Sequence, residues 1–200
     1  MNIWQGHLIR LRGVESRDWE LFDRWDQDSE VACFCYHIEF PRSQEGTKKF
    51  AAEAALAQPK DHAYRWLIET LDGVAVGTIN THSCDSRHGT FGYGLAIARE
   101  HWRKGYASEA IRLVLAYYFQ ELRYQKATVR VYAFNEGSIR LHERLGFQLE
   151  GRLRRMVFTG GAYHDELVFG MTAEEFVQAH LKLPPMPHCT TGGIGVESSL

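Results

Sequence analysis

The 200-residue chain is poor in the features that mark metal, redox or nucleic-acid proteins. It has four cysteines, Cys33, Cys35, Cys84 and Cys189. Cys33-Phe34-Cys35 is too close for an ordinary disulfide or a CxxC metal knuckle, and no second pair completes a zinc site. Reduced, structural cysteines and no metal are therefore expected. The ten histidines are scattered, without HExxH spacing. With 23 Lys and Arg against 25 Asp and Glu, the net charge is −2, and no basic patch or stacking motif argues for nucleic acid or a membrane surface. No apolar run reaches transmembrane length and no signal-peptide pattern follows Met1, so a soluble, cytoplasmic protein is expected. No Ser-His-Asp or Cys-His arrangement suggests a covalent enzyme intermediate.

What is present suits one mixed α/β domain. The chain is 44% hydrophobic, enough to bury a proper core. Residues 8–12 alternate as a first strand, and Ser16 or Asp18 can cap a helix to about Trp25. Residues 26–41 read as an irregular, acidic and aromatic stretch. Ser43 opens a second helix, which Pro59 ends. Residues 64–71 and 74–81 form a hairpin around Asp72-Gly73, and a third strand covers 91–98. Ala107, Ala110, Ile111, Val114, Leu115, Tyr118 and Phe119 recur three and four apart, predicting a long helix with one buried face. A strand at 126–133, a helix from Asn135 or Gly137 closed by Gly146, a hairpin over 147–171 and a short helix from Thr172 follow. The unit over 91–133 places two strands in parallel. From Pro184 the composition becomes that of a flexible tail, 184–200.

The most informative stretch runs from Leu95 to Ala110. A strand passes through a basic, glycine-containing turn directly into the long helix. Such a junction gathers free backbone N–H groups and the positive end of the helix dipole, which together suit a phosphate or pyrophosphate. Arg103 and Lys104 add charge, Gly105 permits close approach, and Ala107 and Ser108 keep side chains small. The turn lacks the Gly-Lys-Ser/Thr ending of a Walker loop and the three glycines of a Rossmann fingerprint. A solvated basic turn is the bland alternative.

Taken together, Trp102-Arg103-Lys104-Gly105-Tyr106-Ala107-Ser108-Glu109-Ala110 and Asn135-Glu136-Gly137-Ser138-Ile139-Arg140-Leu141-His142-Glu143-Arg144-Leu145-Gly146-Phe147 resemble the coenzyme motif and the Asn-x-x-Ser…Leu-Gly-Phe motif of the GNAT N-acetyltransferases. The resemblance covers roughly residues 8–176. Trp102, Ser138 and the ending 151–165 are most similar to the branch that holds ribosomal-protein N-terminal acetyltransferases and their small-molecule relatives. It implies an α+β fold, a mostly antiparallel sheet with a central splayed parallel pair flanked by helices, in a domain over 1–183. It implies acetyl-CoA as cosubstrate and direct transfer to an amine acceptor, with a peptide N-terminus slightly favoured over a small molecule. Pyrophosphate would lie on Trp102, Arg103, Lys104, Gly105, Tyr106, Ala107 and Ser108. Pantetheine would lie along the backbone of Leu95, Ala96 and Ile97, where one N–H polarises the thioester carbonyl.

The remaining roles follow the same resemblance. Asn135 would meet the coenzyme arm, although asparagine is also a favoured helix cap. Ser138 would donate to the leaving thiolate. His142 stands where many relatives carry a proton-donating tyrosine, and an imidazole near pKa ~6.5 could serve or could face elsewhere. The usual acid before Gly92-Tyr93 is absent, with Thr90 in its region, so the base is open, and water could relay the proton to a more distant Glu39, His82 or His88. Tyr36, Glu39 and Tyr93 are expected at the acceptor side, where Asp26, Asp28, Glu30 and Glu39 could attract a cationic amine. Another acyl-CoA donor or a non-catalytic coenzyme-binding module are the alternatives. Exposed strand edges leave room for a homodimer.

Overall fold

The computed structural model describes residues 2–35 and 38–180. Seven strands form one sheet in the order β1-β2-β3-β4-β5-β7-β6. They are β1 (Ile9–Gly13), β2 (Arg65–Thr70), β3 (Ala75–Asp85), β4 (Thr90–Ile97), β5 (Lys126–Tyr132), β6 (Gln148–Thr159) and β7 (Ala162–Thr172). All neighbouring pairs are antiparallel except β4 and β5. The helices are α1 (Trp19–Trp25), α2 (Ser29–Cys35), α3 (Gln44–Leu56), α4 (Tyr106–Gln120), α5 (Glu136–Leu145) and α6 (Ala173–His180). This is the expected α+β architecture with its central parallel pair. The expected tail, 184–200, lies outside the described residues.

The strand period divides the core. On β2, Trp66 and Ile68 join the larger cluster with Ala110, Ile111 and Val114 of α4, Leu145 of α5 and Phe176 of α6. Leu67, one residue out of phase, joins the smaller cluster with Phe22 of α1 and Ala51 of α3. The predicted stripe on α4 is buried from Ala110 to Phe119 as its spacing required. Ser43 caps α3 by accepting from Gly46 N, and Gly146 ends α5 in the left-handed conformation at φ 93°. Thr172 and Glu175 form the reciprocal capping box of α6.

One expectation fails. The segment over 26–41 is not wholly irregular, because it holds α2. This seven-residue helix is too short to be stable alone. Val31 and Ala32 are buried, Phe34 packs on Trp102 and Phe134, and Asp28 accepts from Glu30 N and Val31 N to start the turn. Tertiary contacts therefore supply what local propensity lacks.

Candidate active site

β4 and β5 are laddered only at Thr90–Lys126 and Phe91–Ala127. Beyond that fork β4 stays with β3 to Ile97, and β5 stays with β7 to Tyr132. The two parallel strands thus diverge into a wedge. Ala98 donates its N–H to Val76 O of the β3 side at 2.9 Å. By alternation Ala96 and Gly94 also turn their main chain toward β3, and Leu95 and Ile97 face the wedge. On the other wall Ala133 N bonds Asp165 O at 2.9 Å, which turns Arg130 toward the wedge. An extended chain bearing amides can bond such walls as an added strand does. Ala96 is the exception among the three expected strand contacts, since its carbonyl points at Gly77.

The mouth of the wedge is the basic turn. A 3-10 turn at Arg99–His101 leads to Trp102, whose indole N–H donates to Ile97 O at 2.7 Å and whose ring meets Phe34 edge-on at 6.3 Å. Arg103 and Gly105 both take left-handed backbone, at φ 61° and 86°. For Arg103 that costs about 1–3 kcal/mol, a strain typical of ligand clamps. Arg103, Lys104 and Gly105 are exposed, and no side chain caps α4 at Gly105. The N–H groups of Tyr106, Ala107 and Ser108 therefore head the helix at an accessible, positively charged corner.

Glu109 secures this corner, a role the helical pattern alone does not reveal. Its buried carboxylate accepts from His7 N (2.7 Å), Leu8 N (2.7 Å) and Ile9 N (2.8 Å). The lead-in to β1 is thereby tied to the first turns of α4, with the Leu8 side chain against Gly105.

α5 lines the wedge from the larger-core side. Asn135 caps it: Oδ1 accepts from Ser138 N at 3.0 Å, and Nδ2 donates to Phe34 O at 3.0 Å. Both ends of that amide are thus engaged within the chain. His142 is 5% exposed. Its Nδ1 lies 2.8 Å from Ser138 O and 3.3 Å from Ser138 Oγ, and its Nε2 lies 2.9 Å from Tyr93 Oη. A backbone carbonyl only accepts, so Nδ1 carries the proton and the neutral ring's Nε2 accepts from Tyr93. Burial lowers the imidazole pKa, with the Ser138 carbonyl opposing, and burial raises the Tyr93 phenol well above its ordinary value. The ring stacks on Tyr93 and Phe169 and meets Phe147 edge-on.

The structure therefore brings Tyr93, Ser138 and His142 together. Glu39 lies instead beside Arg42, at 4.0 Å, while Tyr36 lies outside the described residues. The remaining base candidates bond elsewhere: His82 Nδ1 pairs with Ser83 Oγ while its ring lies against Gly92, and exposed His88 lies 4.0 Å from Asp85. The acids expected to attract a cation are paired, Asp28 and Glu30 with Arg99 and Asp26 with Arg42 at 3.6 Å.

The chain belongs to the GNAT acetyltransferases: the model of the acetyltransferase (GNAT) domain matches residues 9–148. It is an N-acetyltransferase of that family. It is 42% identical over 177 residues to the SPbeta prophage-derived uncharacterized N-acetyltransferase YokL of Bacillus subtilis, covering 88% of this chain and 97% of YokL. Likeness to the putative ribosomal N-acetyltransferase YdaF of B. subtilis is 30% over 105 residues, covering 52% of this chain and 57% of YdaF. The ribosomal branch is thus a distant, partial match. In fold the chain is similar to spermidine N-acetyltransferase from Vibrio cholerae in complex with CoA and spermine, at TM-score 0.73 and 22% identity, covering 84% of this chain and 98% of that one.

Proposed function

We propose that the protein transfers acetyl from acetyl-CoA directly to a primary amine, of a peptide N-terminus or a small molecule. The observation that carries this reading is the wedge beyond Phe91–Ala127 with an uncapped helix N-terminus at its mouth. The two features suit the two chemically different parts of the coenzyme. Tyr106, Ala107 and Ser108 N–H groups take the pyrophosphate, with Arg103 and Lys104 neutralising its charge. The amides of pantetheine run along Leu95 and Arg130 as a strand between strands. Trp102, closed onto Ile97 O, forms the rim of the wedge.

A main-chain N–H on the β4 wall, at Leu95, polarises the thioester carbonyl as the oxyanion forms. Ser138 stands at the start of α5, half-buried, with its hydroxyl placed to hydrogen-bond the departing sulfur. Acceptor entry is from the side of α2 and the β6–β7 turn, which meet where Cys33 Sγ lies 3.4 Å from Thr159 Oγ1.

Calorimetric titration with acetyl-CoA tests the coenzyme site, using the wild type and Gly105→Glu. The substitution places a carboxylate at the pyrophosphate corner, on backbone at φ 86° that disfavours any side chain. Micromolar binding by wild type, lost in a variant that still melts cooperatively, supports the reading. Absence of binding by well-folded wild type refutes it. Release of free thiol from acetyl-CoA over a panel of peptides, amino acids and polyamines then finds the acceptor.

A further inference from the structure

The base is the part of the reaction that the sequence leaves open, and among the described residues the Tyr93–His142 pair spans the wedge. Tyr93 belongs to β4, two residues past the fork at Phe91. His142 belongs to α5, which packs on the other side of the wedge through Phe169 of β7. The 2.9 Å bond between Tyr93 Oη and His142 Nε2 therefore bridges the diverging strands. A coenzyme with its phosphates at the α4 corner runs its arm from Ile97 toward this bridge. Four residue steps along β4 separate Ile97 from Tyr93, about 13 Å at ~3.3 Å per residue. Its thioester end is thus the part that meets Tyr93.

We propose that Tyr93 is a catalytic residue that relays one proton between the attacking amine and the leaving sulfur, and that His142, acting through Tyr93, holds that proton in between. The inference rests on the acetyl-transfer reading above. The amine nitrogen attacks the carbonyl carbon, and the carbonyl electron pair moves onto oxygen. The nitrogen, now positive, gives a proton to Tyr93 Oη as Tyr93 passes its own to His142 Nε2. The carbonyl then reforms, and the carbon–sulfur bond breaks with its electron pair on sulfur. The proton returns from His142 Nε2 through Tyr93 Oη to the thiolate. The products are the amide and free coenzyme thiol, with no outside base consumed.

The order of proton affinities favours this direction. A thiolate, with a thiol pKa near ~8.5, takes a proton readily from an imidazolium whose pKa lies below ~6.5. Tyr93 by itself does not supply the proton, because its phenol is a weaker acid than the thiol. Among the described residues, the groups that meet the His142 ring are Ser138 on its own helix, Tyr93 from β4, Phe169 from β7, and Phe147. Tyr93 is the titratable one of these, and no charged group among the described residues meets the ring. The Ser138 carbonyl anchors Nδ1–H and keeps Nε2 aimed at Tyr93.

Two variants separate the relay from a mere strut. His142→Gln keeps an acceptor for Tyr93 but cannot hold a proton, and Tyr93→Phe removes the link. Each is expected to lower kcat by about 100-fold while leaving calorimetric acetyl-CoA affinity unchanged. In wild type, nitrogen NMR is expected to show the Nδ1–H tautomer at neutral pH, and kcat to hold through ~6.5 and fall only as pH drops through the lowered His142 pKa. Either variant retaining kcat within threefold overturns the relay, as does an Nε2–H tautomer in the wild type. Failure of wild type to bind acetyl-CoA sinks the underlying reading instead, so the two failures are distinguishable.

Discussion

Replacing Glu109 isolates the interaction that fastens the coenzyme corner to the rest of the sheet. The carboxylate takes one N–H, from His7, on Oε1 and two, from Leu8 and Ile9, on Oε2. Charge-assisted bonds contribute roughly 1.5–3 kcal/mol each, but they are not all lost equally in Glu109→Ala. His7 and Leu8 are exposed, so water can reach their N–H groups, whereas Ile9 is fully buried. The expected loss is therefore about 3–4 kcal/mol, below the sum of three bonds. For a chain of this length that is a fall in melting temperature of roughly 10 °C. Glu109→Gln keeps an oxygen for Leu8 and Ile9 but sets an amide donor against His7 N–H, and should lose about half as much. Chemical denaturation of both variants at neutral pH measures these values. A Glu109→Ala protein within 1 kcal/mol of wild type would refute the reasoning.

Two further outcomes follow from the same geometry. A β-carbon at Gly77 would lie 2.1 Å from Ala96 O and 2.9 Å from Ile97 Cα, both backbone, so Gly77→Ala must push β3 from β4 beside the wedge. It should cost about 2–3 kcal/mol and weaken acetyl-CoA binding, which denaturation and calorimetry will check. Stability should also fall as pH drops below ~6.5. His142 and His180 have folded-state pKa values lowered, chiefly by burial, so below ~6.5 the unfolded chain binds more protons than the folded one. Their contribution is complete above ~6.5 and is lost toward their folded-state pKa. Melting curves across that range should show a shallower pH dependence for His142→Gln, and an unchanged slope would contradict the assignment.

Local rules made much of this protein readable from its residues. The stripe from Ala110 to Phe119, Asp72-Gly73 between β2 and β3, the Asn135 cap, Gly146 after α5 and the Thr172 box each act within a few residues. Their physics is therefore written in adjacent sequence. So is the basic turn at Arg103 to Gly105, where the need for a left-handed glycine and the start of a helix coincide. The divergence of β4 from β5 came into view only through resemblance to a family, since no residue of either strand announces it.

Tertiary structure decided the rest, because the partners are far apart along the chain. α2 forms where neighbours bury Val31 and Ala32 and hold Phe34, not because its own seven residues favour a helix. The acids around it look like a lure for cations until Arg42 and Arg99 arrive to pair them. Glu109 is an ordinary helical glutamate in sequence and an anchor only when residues 7–9 fold beneath it. Sequence placed His142 on α5, but its proton position and its bond to Tyr93 across the wedge arise from a carbonyl on one side and a strand on the other. Local propensity determines which segments are helix or strand everywhere but at α2; only packing between distant segments sets which polar atoms meet, and in this chain the chemistry lies in those meetings.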